Sequence, residues 1–476
     1  MNLAIGIHTA RQNSTPLIAL LGQVSNADRH REAFQEMELA EVFRPFVKWA
    51  AEPTHPNQLP EVVARAASIS MQGRPGPVVI SIPEDIQEQE YVDTGTLSIT
   101  SNPALQPPQH LIEQVLAELR AACSPLIIVG GGVSAASAGN AAAEFAELEQ
   151  IGVLAGWRRP DAYPNSHLCY LGHTGLRSTD RLKSLFAEAD VVLTVGHRLD
   201  ENSTMGYTLP SQDTFLIHVD VDMDGITSPR GTSLPILSDA KLFFETLLTT
   251  ARSNPLSTNC RETRRQQLSA ERRAWEIETT PSCGIASDTY ADQQSIAAHL
   301  RKLAPENAVY TSDAGTFAGW LERYIQFERP GSFLGPTSGA MGYGLPAAIA
   351  AKIHDRTCTP ITYVGDGGFL MTGAEIETAV RENAPIISLV FNNQRYATIG
   401  LHQEREYPGR PIATQLGSAD FAGFAESLGA RGFTVEHHDQ FPEAFQEALH
   451  SEAPCVLDIK TDPEQTYVNN DELKTS

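Results

Sequence analysis

Short runs of β-branched and aliphatic residues alternate with amphipathic segments through most of this chain. Each run holds about four to six apolar residues and is bounded by Gly, Pro, Asn or Asp, which is typical of a buried strand. Strands that are apolar on both faces belong to parallel sheets that helices cover on both sides. The pattern therefore predicts an α/β fold of doubly wound parallel sheets. The predicted strands are Pro16–Leu21, Pro77–Ile82, Leu126–Val129, Val191–Val195, Phe215–Val219, Ala308–Tyr310, Ile361–Val364, Ile386–Phe391 and Val456–Ile459. The predicted helices include Leu111–Leu119, Ile296–Leu303, Ala374–Val380, Phe421–Leu428 and Phe441–Leu449.

Two stretches of the chain have the composition of linkers. Asp93–Pro108 is poor in large apolar residues and ends in Pro-Pro, and Ser253–Ile285 combines an Arg- and Glu-rich helix with a Pro-Ser-Cys-Gly turn. A chain of 476 residues is long enough for several domains of ~100–200 residues each. We therefore predict three domains, at residues 1–95, 105–252 and 286–465, followed by a frayed polar tail at Asn469–Ser476.

The charge balance argues against two classes of partner. Lys plus Arg number 35 and Asp plus Glu number 58, so the formal net charge is −23 and is spread along the chain. A surface of this sign repels nucleic acid and anionic membranes. No run approaches the ~20 apolar residues of a spanning helix. The first residues lack the basic start of a signal peptide, so the sequence predicts a cytoplasmic protein.

The cysteines are widely spaced. The chain has six and no CxxC pair, which predicts isolated reduced thiols rather than zinc sites or a disulfide framework. They are Cys123, Cys169, Cys260, Cys283, Cys358 and Cys455.

The most informative motif is Gly365-Asp-Gly-Gly368, which directly follows a predicted strand. Parallel sheets bind ligands at the carboxyl ends of their strands, and glycines let backbone N–H groups approach phosphate oxygens. Residues 368–391 are long enough for one helix and one strand, so Asn393 returns to the same sheet edge as Asp366. A carboxylate, an amide oxygen and diphosphate oxygens suit octahedral Mg²⁺. Either dipeptide alone is also an ordinary turn sequence.

The GDG and NN motifs at this spacing resemble the signature of thiamine-diphosphate enzymes of the acetolactate synthase type. A second segment, GPTSGAMGYGLPA over residues 335–347, is similar to the family segment that holds the cofactor's two rings. Met341 occupies the position of the bulky residue beneath the thiazolium ring. Gly339 occupies the position whose carbonyl bonds the aminopyrimidine. A core methionine beside a Gly-rich helix start is the alternative interpretation.

The resemblance extends over nearly the whole chain, in the family's order. The segments QNSTPLIALLGQ (12–23), EAFQE (32–36) and GRPGPVVISIP (73–83) resemble the pyrimidine-binding domain. The segments SPLIIVGGGV (124–133) and DVVLTVGHRLD (190–200) resemble the central domain. The triple glycine is not a GxGxxG motif and also fits a tight strand-to-helix turn. FAD is therefore possible but not supported, and we interpret His173 and His197 as packing or loop residues.

The resemblance implies a cofactor and a set of site residues. The cofactor is thiamine diphosphate, held through Mg²⁺ by side-chain oxygens of Asp366 and Asn393 and by the backbone carbonyl of Arg395. The implied cofactor-binding residues are Gly315, Thr316, Gly339, Met341, Gly365, Asp366, Gly367, Gly368 and Asn393. Residues 314–317 (AGTF) depart from the Gln-His-Gln pattern of acetolactate synthases, which leaves the keto acid open.

One family feature has no counterpart in this sequence. The family's activating glutamate lies upstream of anything matched here, because residue 1 aligns with the middle of the pyrimidine-binding domain. Neither Glu32 nor Glu36 has a matching context. We therefore expect an N-terminally truncated chain with an incomplete first domain. Strands Pro16–Leu21 and Pro77–Ile82 should then lack neighbours and leave apolar edges exposed.

Three functions remain open from the sequence. The first is a homodimeric or homotetrameric carboligase or decarboxylase that acts on a 2-keto acid, with active sites shared between subunits. The second is a catalytically silent homologue that keeps the diphosphate site and serves as a binding or regulatory partner. The third, a flavin- or nicotinamide-dependent oxidoreductase, depends only on Gly130–Gly132.

Overall fold

The computed structural model describes residues 1–92, 99, 103–175, 178–226, 231–282 and 289–468. The predicted tail Asn469–Ser476, Cys283 and parts of both predicted linkers lie outside these residues. The chain divides into two compact units. One comprises Met1–Gln106 and Val221–Gly225, and the other comprises Pro107–Asp220 and Ile226–Ser476.

The first unit contains a three-stranded parallel sheet in the order β1-β3-β2. β3 is central and buried, so the expectation that Pro77–Ile82 would lack a neighbour is wrong. β1 is an edge strand, and its Ile18 and Leu20 side chains are 38% and 58% exposed. The elements are α1 (Ala4–Asn13), β1 (Leu17–Gln23), α2 (Leu39–Phe43), β2 (Trp49–Ala51), α3 (Leu59–Met71), β3 (Pro77–Pro83) and α4 (Glu84–Glu88).

The second unit begins with a six-stranded parallel sheet in the order β6-β5-β4-β7-β8-β9. Its central strands are apolar on both faces because helices cover both sides. The strands are β4 (Pro125–Val129), β5 (Gly152–Ala155), β6 (Tyr170–His173), β7 (Val191–Val195), β8 (Phe215–Asp220) and β9 (Leu234–Leu237). The helices are α5 (Gln109–Ala121), α6 (Gly131–Ala135), α7 (Gly139–Glu149), α8 (Asp180–Glu188), α9 (Met223–Ile226), which overlaps the first unit, α10 (Ala240–Ser253) and α11 (Thr258–Glu278).

α11 falls inside the predicted linker Ser253–Ile285, but it is attached to helix α5 and to strand β6 of this layer. The buried Arg264 guanidinium donates to the carbonyls of Leu119 and Ala122 at 2.6 and 3.2 Å. Further along the helix, Arg272 donates to the carbonyl of Tyr170 at 3.0 Å. These bonds satisfy carbonyls at the ends of helices and strands, so α11 is part of the folded body.

A second six-stranded parallel sheet follows, in the order β11-β10-β12-β13-β15-β14. The strands are β10 (Ala308–Ser312), β11 (Phe333–Leu334), β12 (Thr359–Gly365), β13 (Ile387–Asn392), β14 (Arg431–Val435) and β15 (Cys455–Lys460). The helices are α12 (Gln293–Leu303), α13 (Ala318–Tyr324), α14 (Gly344–His354), α15 (Asp366–Thr372), α16 (Glu375–Arg381), α17 (Ala397–Glu406), α18 (Phe421–Ser427) and α19 (Phe441–Leu449).

The α/β class with three parallel sheets is confirmed. Each of the nine predicted strands is present, with ends shifted by at most two residues. The strands that the sequence pattern missed are β2, β5, β6, β9, β11 and β14, and all but β5 lie at sheet edges. These edge strands have two to five residues, and most of them are partly exposed or partly polar, so they lack a long apolar run. The domain ranges 1–95, 105–252 and 286–465 stay a prediction.

Two further features concern the described residues. No helix among them is long and apolar enough to cross a membrane. The five cysteines they include are all free thiols, as predicted, with Cys169, Cys358 and Cys455 buried and Cys123 exposed.

Candidate functional site

A cavity of about 230 Å³ lies where the carboxyl ends of β10, β12, β13 and β15 meet. From β10 the chain runs to β11 on one side and then to β12 on the other, so the cavity lies at a topological switch point of the sheet. All the residues assigned from the sequence line it: Gly315, Thr316, Gly339, Met341, Gly365, Asp366, Gly367, Gly368, Asn393 and Arg395.

The side chains of Asp366 and Asn393 lie close together in the lining of this cavity. Oδ2 of Asp366 and Oδ1 of Asn393 both accept the backbone N–H of Arg395, at 3.3 and 3.2 Å. Burial raises the pKa of the Asp366 carboxyl to about 6, against the effect of the N–H donors around it. A buried carboxylate with no cation beside it is costly, so this pair of oxygens is suited to a positive ligand.

Arg395 is fixed by its backbone rather than by its side chain. Its carbonyl accepts the N–H of Ala397 at 2.9 Å, which leaves one lone pair for another ligand. The residues on either side form short antiparallel pairing with 414–416. Its guanidinium approaches the exposed Glu464 at 3.4 Å.

The glycines of the cavity wall are close to large side chains. A Cβ at Gly365 would lie 2.8 Å from the Phe317 ring, and a Cβ at Gly367 would overlap the Tyr396 ring. A Cβ at Gly368 would overlap the carboxylate of Asp313. These positions therefore require glycine, and without side chains the backbone itself lines this part of the cavity, which suits the close approach of phosphate oxygens.

The segment with Gly339 and Met341 also lines the cavity. Gly339 and Gly342 have φ values of +70° and +72°, in the left-handed region that glycine tolerates. The Asp313 carboxylate accepts the N–H groups of Gly342 and Gly344 at 2.7 and 2.6 Å. The backbone around Met341 is therefore fixed by two glycines with positive φ and by hydrogen bonds to the buried Asp313 carboxylate.

Asp313 is not among the site residues predicted from the sequence. It is fully buried, and burial raises its pKa, opposed chiefly by N–H donors of the 342–344 backbone. The signal was available, because Asp313 directly follows strand β10 just as Asp366 follows β12. Other lining residues that the sequence did not single out are Gln293, Phe391, Tyr396, Ala397, Thr398, Ile399 and Thr461.

Two models of known protein families match this chain. Residues 313–459, which contain the cavity's Asp366 and Asn393, match the thiamine pyrophosphate enzyme C-terminal TPP-binding domain. Residues 112–247 match the thiamine pyrophosphate enzyme central domain. This chain belongs to the thiamine pyrophosphate enzyme family.

Acetolactate synthases are among the curated relatives of this chain. A probable acetolactate synthase large subunit of Methanocaldococcus jannaschii is 30% identical over 97% of this chain and 79% of that protein. One of Methanococcus aeolicus is 29% identical over 97% of this chain and 80% of that protein. The acetolactate synthase isozyme 3 large subunit of Escherichia coli is 29% identical over 94% and 79%.

The triple glycine of this thiamine pyrophosphate enzyme, at residues 130–132, is tightly packed. A Cβ at Gly132 would lie 2.7 Å from the Cα of Gly196, and a Cβ at Gly131 would lie 2.9 Å from Arg159. His197 packs against the same turn and is 6% exposed. These contacts support the interpretation of residues 130–132 as a tight turn and of His197 as a packing residue.

Glu36 and His173, two other residues considered from the sequence, both contact backbone groups. The Glu36 carboxylate accepts the N–H groups of His30 and Ala33 at 2.6 and 3.1 Å, which closes its own loop. Both ring nitrogens of His173 lie near carbonyl oxygens, those of Thr174 and Glu322, at 3.3 and 3.2 Å. Among the described residues, no cluster of three or more His, Cys, Asp or Glu could hold a metal ion.

Proposed function

We propose that this chain uses thiamine diphosphate and Mg²⁺ to act on a 2-keto acid, as a carboligase or decarboxylase of the acetolactate synthase type. The observation that carries the proposal is the convergence of Asp366 Oδ2 and Asn393 Oδ1 on one N–H beside a glycine-lined wall. The acetolactate synthase names of the relatives support the keto-acid chemistry.

The residues present fit both groups. Mg²⁺ prefers oxygen ligands from one or two protein groups plus phosphates and water, which matches a site with a single carboxylate and an amide oxygen. Asp366, Asn393 and the Arg395 carbonyl would hold the metal. Gly367 and Gly368 would let the backbone approach the diphosphate closely, since neither position has room for a side chain.

The chain's own side chains would then define the reacting geometry. When bound, thiamine diphosphate supplies a carbon nucleophile for the keto carbonyl and an electron sink for the charge that CO₂ leaves behind. The Met341 side chain would hold the two rings in a bent arrangement by shape alone. The Gly339 carbonyl would accept a hydrogen bond from the pyrimidine amino group and so orient the ring for proton transfer.

The apolar lining would keep water from the reacting centre. The rings of Phe317 and Phe391 stack with centroids 6.2 Å apart at the base of the cavity. A dry cavity strengthens the electrostatic interactions inside it and protects charged intermediates from stray protons. We further propose a cytoplasmic homodimer or homotetramer with small-molecule substrates.

The experiment that tests the proposal separates binding from turnover. Thiamine diphosphate should bind in the micromolar range with Mg²⁺ present and much more weakly with EDTA, as read by calorimetry. A panel of 2-keto acids should then include one that releases CO₂. Cofactor binding without turnover on any keto acid would favour the catalytically silent homologue. A flavin absorption spectrum in the purified protein would favour the oxidoreductase.

A further inference from the structure

Arg158 lies in the loop after β5, outside the cavity, and its conformation is unusual. It is 2% exposed and its φ is +58°, in the left-handed region that side chains other than glycine rarely adopt. A non-glycine residue keeps such a conformation only when the surrounding contacts require it. The contacts of its guanidinium therefore identify what holds it there.

Those contacts cross from one six-stranded sheet to the other. The guanidinium pairs with the Glu322 carboxylate at 3.1 Å and donates to the backbone carbonyl of Asp313 at 3.3 Å. The Arg158 side chain also lies against Gly335, where a Cβ would be 3.0 Å from Cδ of the arginine. Arg158 therefore contacts the TPP-binding domain at three separate points.

Each of those three contacts is made to a residue close in sequence to residues that line the cofactor cavity. The Asp313 carboxylate holds the N–H groups of Gly342 and Gly344, directly after Met341. Glu322 belongs to α13, which begins one residue after Phe317 of the cavity wall. Gly335 opens the GPTSGAM segment that carries Gly339 and Met341.

We propose that Arg158 is a positioning residue that sets the geometry of the thiamine diphosphate site from the central domain. The inference rests on the proposed function, because it assigns Arg158 to that same site. Through Glu322 it orients α13 and the wall before it, and through the Asp313 carbonyl it orients the carboxylate that anchors the Met341 segment. Arg158 itself touches neither cofactor nor substrate.

Simple attachment of the two sheets does not account for Arg158. Asn165 exchanges hydrogen bonds with the backbone of Phe327 at 3.0 and 3.1 Å. Asp161 accepts the N–H of Gly331 at 2.7 Å, and Ser166 donates to Glu328 at 2.6 Å. These bonds already join the sheets at a distance in sequence from residues 313–317 and 339–344. His173 also reaches the Glu322 carbonyl, at 3.2 Å, but Arg158 bonds in addition to Asp313, which starts the first of these segments.

The test compares Arg158→Met with Arg264→Met. Arg264 is a buried arginine of the same unit that also bonds backbone carbonyls, but its carbonyl partners lie at residues 119–122 and 149. Both changes should lower the melting temperature. Only Arg158→Met should raise the Kd of thiamine diphosphate at saturating Mg²⁺, by about tenfold or more, and Arg158→Lys should recover part of that loss.

A second readout needs no cofactor. In the cofactor-free protein, Arg158→Met should speed hydrogen exchange in peptides that cover Gly342 and Gly344, whereas Arg264→Met should speed exchange around residues 119–150. If Arg158→Met does not fold, Arg158→Lys and Glu322→Gln carry the same comparison.

Defined outcomes overturn the proposal. If Arg158→Met changes neither the Kd nor the exchange of 335–345 more than Arg264→Met does, Arg158 is only structural. Fully additive effects of Arg158→Met and Glu322→Gln on the Kd would mean that Arg158 does not act through Glu322. Failure of the wild-type protein to bind thiamine diphosphate would instead overturn the proposed function, and the exchange readout distinguishes the two cases.

Discussion

Oδ2 of Asp366 and Oδ1 of Asn393 accept the same backbone N–H, that of Arg395, at 3.3 and 3.2 Å. The two side chains follow neighbouring strands β12 and β13, which pair in parallel with Gly365 opposite Phe391. The Arg395 N–H thus holds both oxygens together at the carboxyl ends of these two strands. Side chains that backbone hydrogen bonds already orient lose less freedom when a ligand binds.

The first prediction concerns the metal site. Asp366→Asn keeps the side chain's shape but removes its negative charge, so Mg²⁺-dependent binding of thiamine diphosphate should weaken by about 30-fold or more. Calorimetry with and without EDTA measures this. The exposed Asp439 provides the control, and Asp439→Asn should leave the Kd unchanged. An unchanged Kd in Asp366→Asn would remove Asp366 from the metal site.

The second prediction concerns Met341. If its side chain acts by shape, Met341→Leu should keep kcat within about threefold, because the two side chains have similar volume. Met341→Ala should still bind the cofactor but lose about tenfold or more in kcat, since the bent arrangement is no longer enforced. Steady-state kinetics beside a cofactor titration separates the two effects. Equal kcat values for the alanine variant and the wild type would show that Met341 is only a packing residue.

The third prediction concerns the triple-glycine turn. Gly132→Ala would place a Cβ 2.7 Å from the Cα of Gly196, and backbone cannot move aside as a flexible side chain can. We expect a loss of about 2 kcal/mol in the free energy of unfolding, measured with urea. Gly139→Ala is the matched control, because its Cβ would lie 3.5 Å from the nearest atom at the start of helix α7. That change should be neutral or stabilising.

The fourth prediction concerns Asp458, which anchors the residue before Asn393. Its fully buried carboxylate accepts Asn392 Nδ2 at 2.9 Å, the Phe421 N–H at 3.1 Å and Lys460 Nζ at 2.7 Å. Asp458→Ala should lower the free energy of unfolding by about 2–3 kcal/mol, because it leaves buried donors unpaired while Lys460 still reaches solvent. The exposed pair of Asp180 and Lys183 contributes little, so Asp180→Ala should change stability far less. Comparable losses in both variants would contradict this account.

The fifth prediction concerns thiol reactivity. Burial raises the pKa of the Cys169 thiol to about 12. At pH 8 the thiolate fraction of such a group is about one in ten thousand, and the thiolate is the reactive form. Iodoacetamide should therefore modify the exposed Cys123 in minutes and leave Cys169 intact until the protein unfolds, as read by peptide mass spectrometry. Modification of Cys169 in the folded protein at the same rate as Cys123 would contradict this account.

Much of the fold was predictable because its signals are local. A strand such as Val191–Val195 is buried on both faces, so its apolar run and its bounding residues predict both its ends. Edge strands such as β14 carry an exposed and partly polar pattern, and pairing with β15 alone makes them strands. The same distinction applies to helix α11. Its charged surface resembles that of a linker, although Arg264 attaches it to helix α5 and Arg272 attaches it to strand β6.

The sequence by itself determined the α/β class and the pairing of Asp366 with Asn393. Residues at the carboxyl ends of adjacent parallel strands must meet at one sheet edge, and strand and helix lengths alone predict that meeting. Only the tertiary structure decided what Asp313 and Arg158 contact. Asp313 bonds to a segment about thirty residues away, and Arg158 bonds across 155 positions of sequence. Such contacts depend on how separately formed layers pack, which no local pattern of residue types encodes.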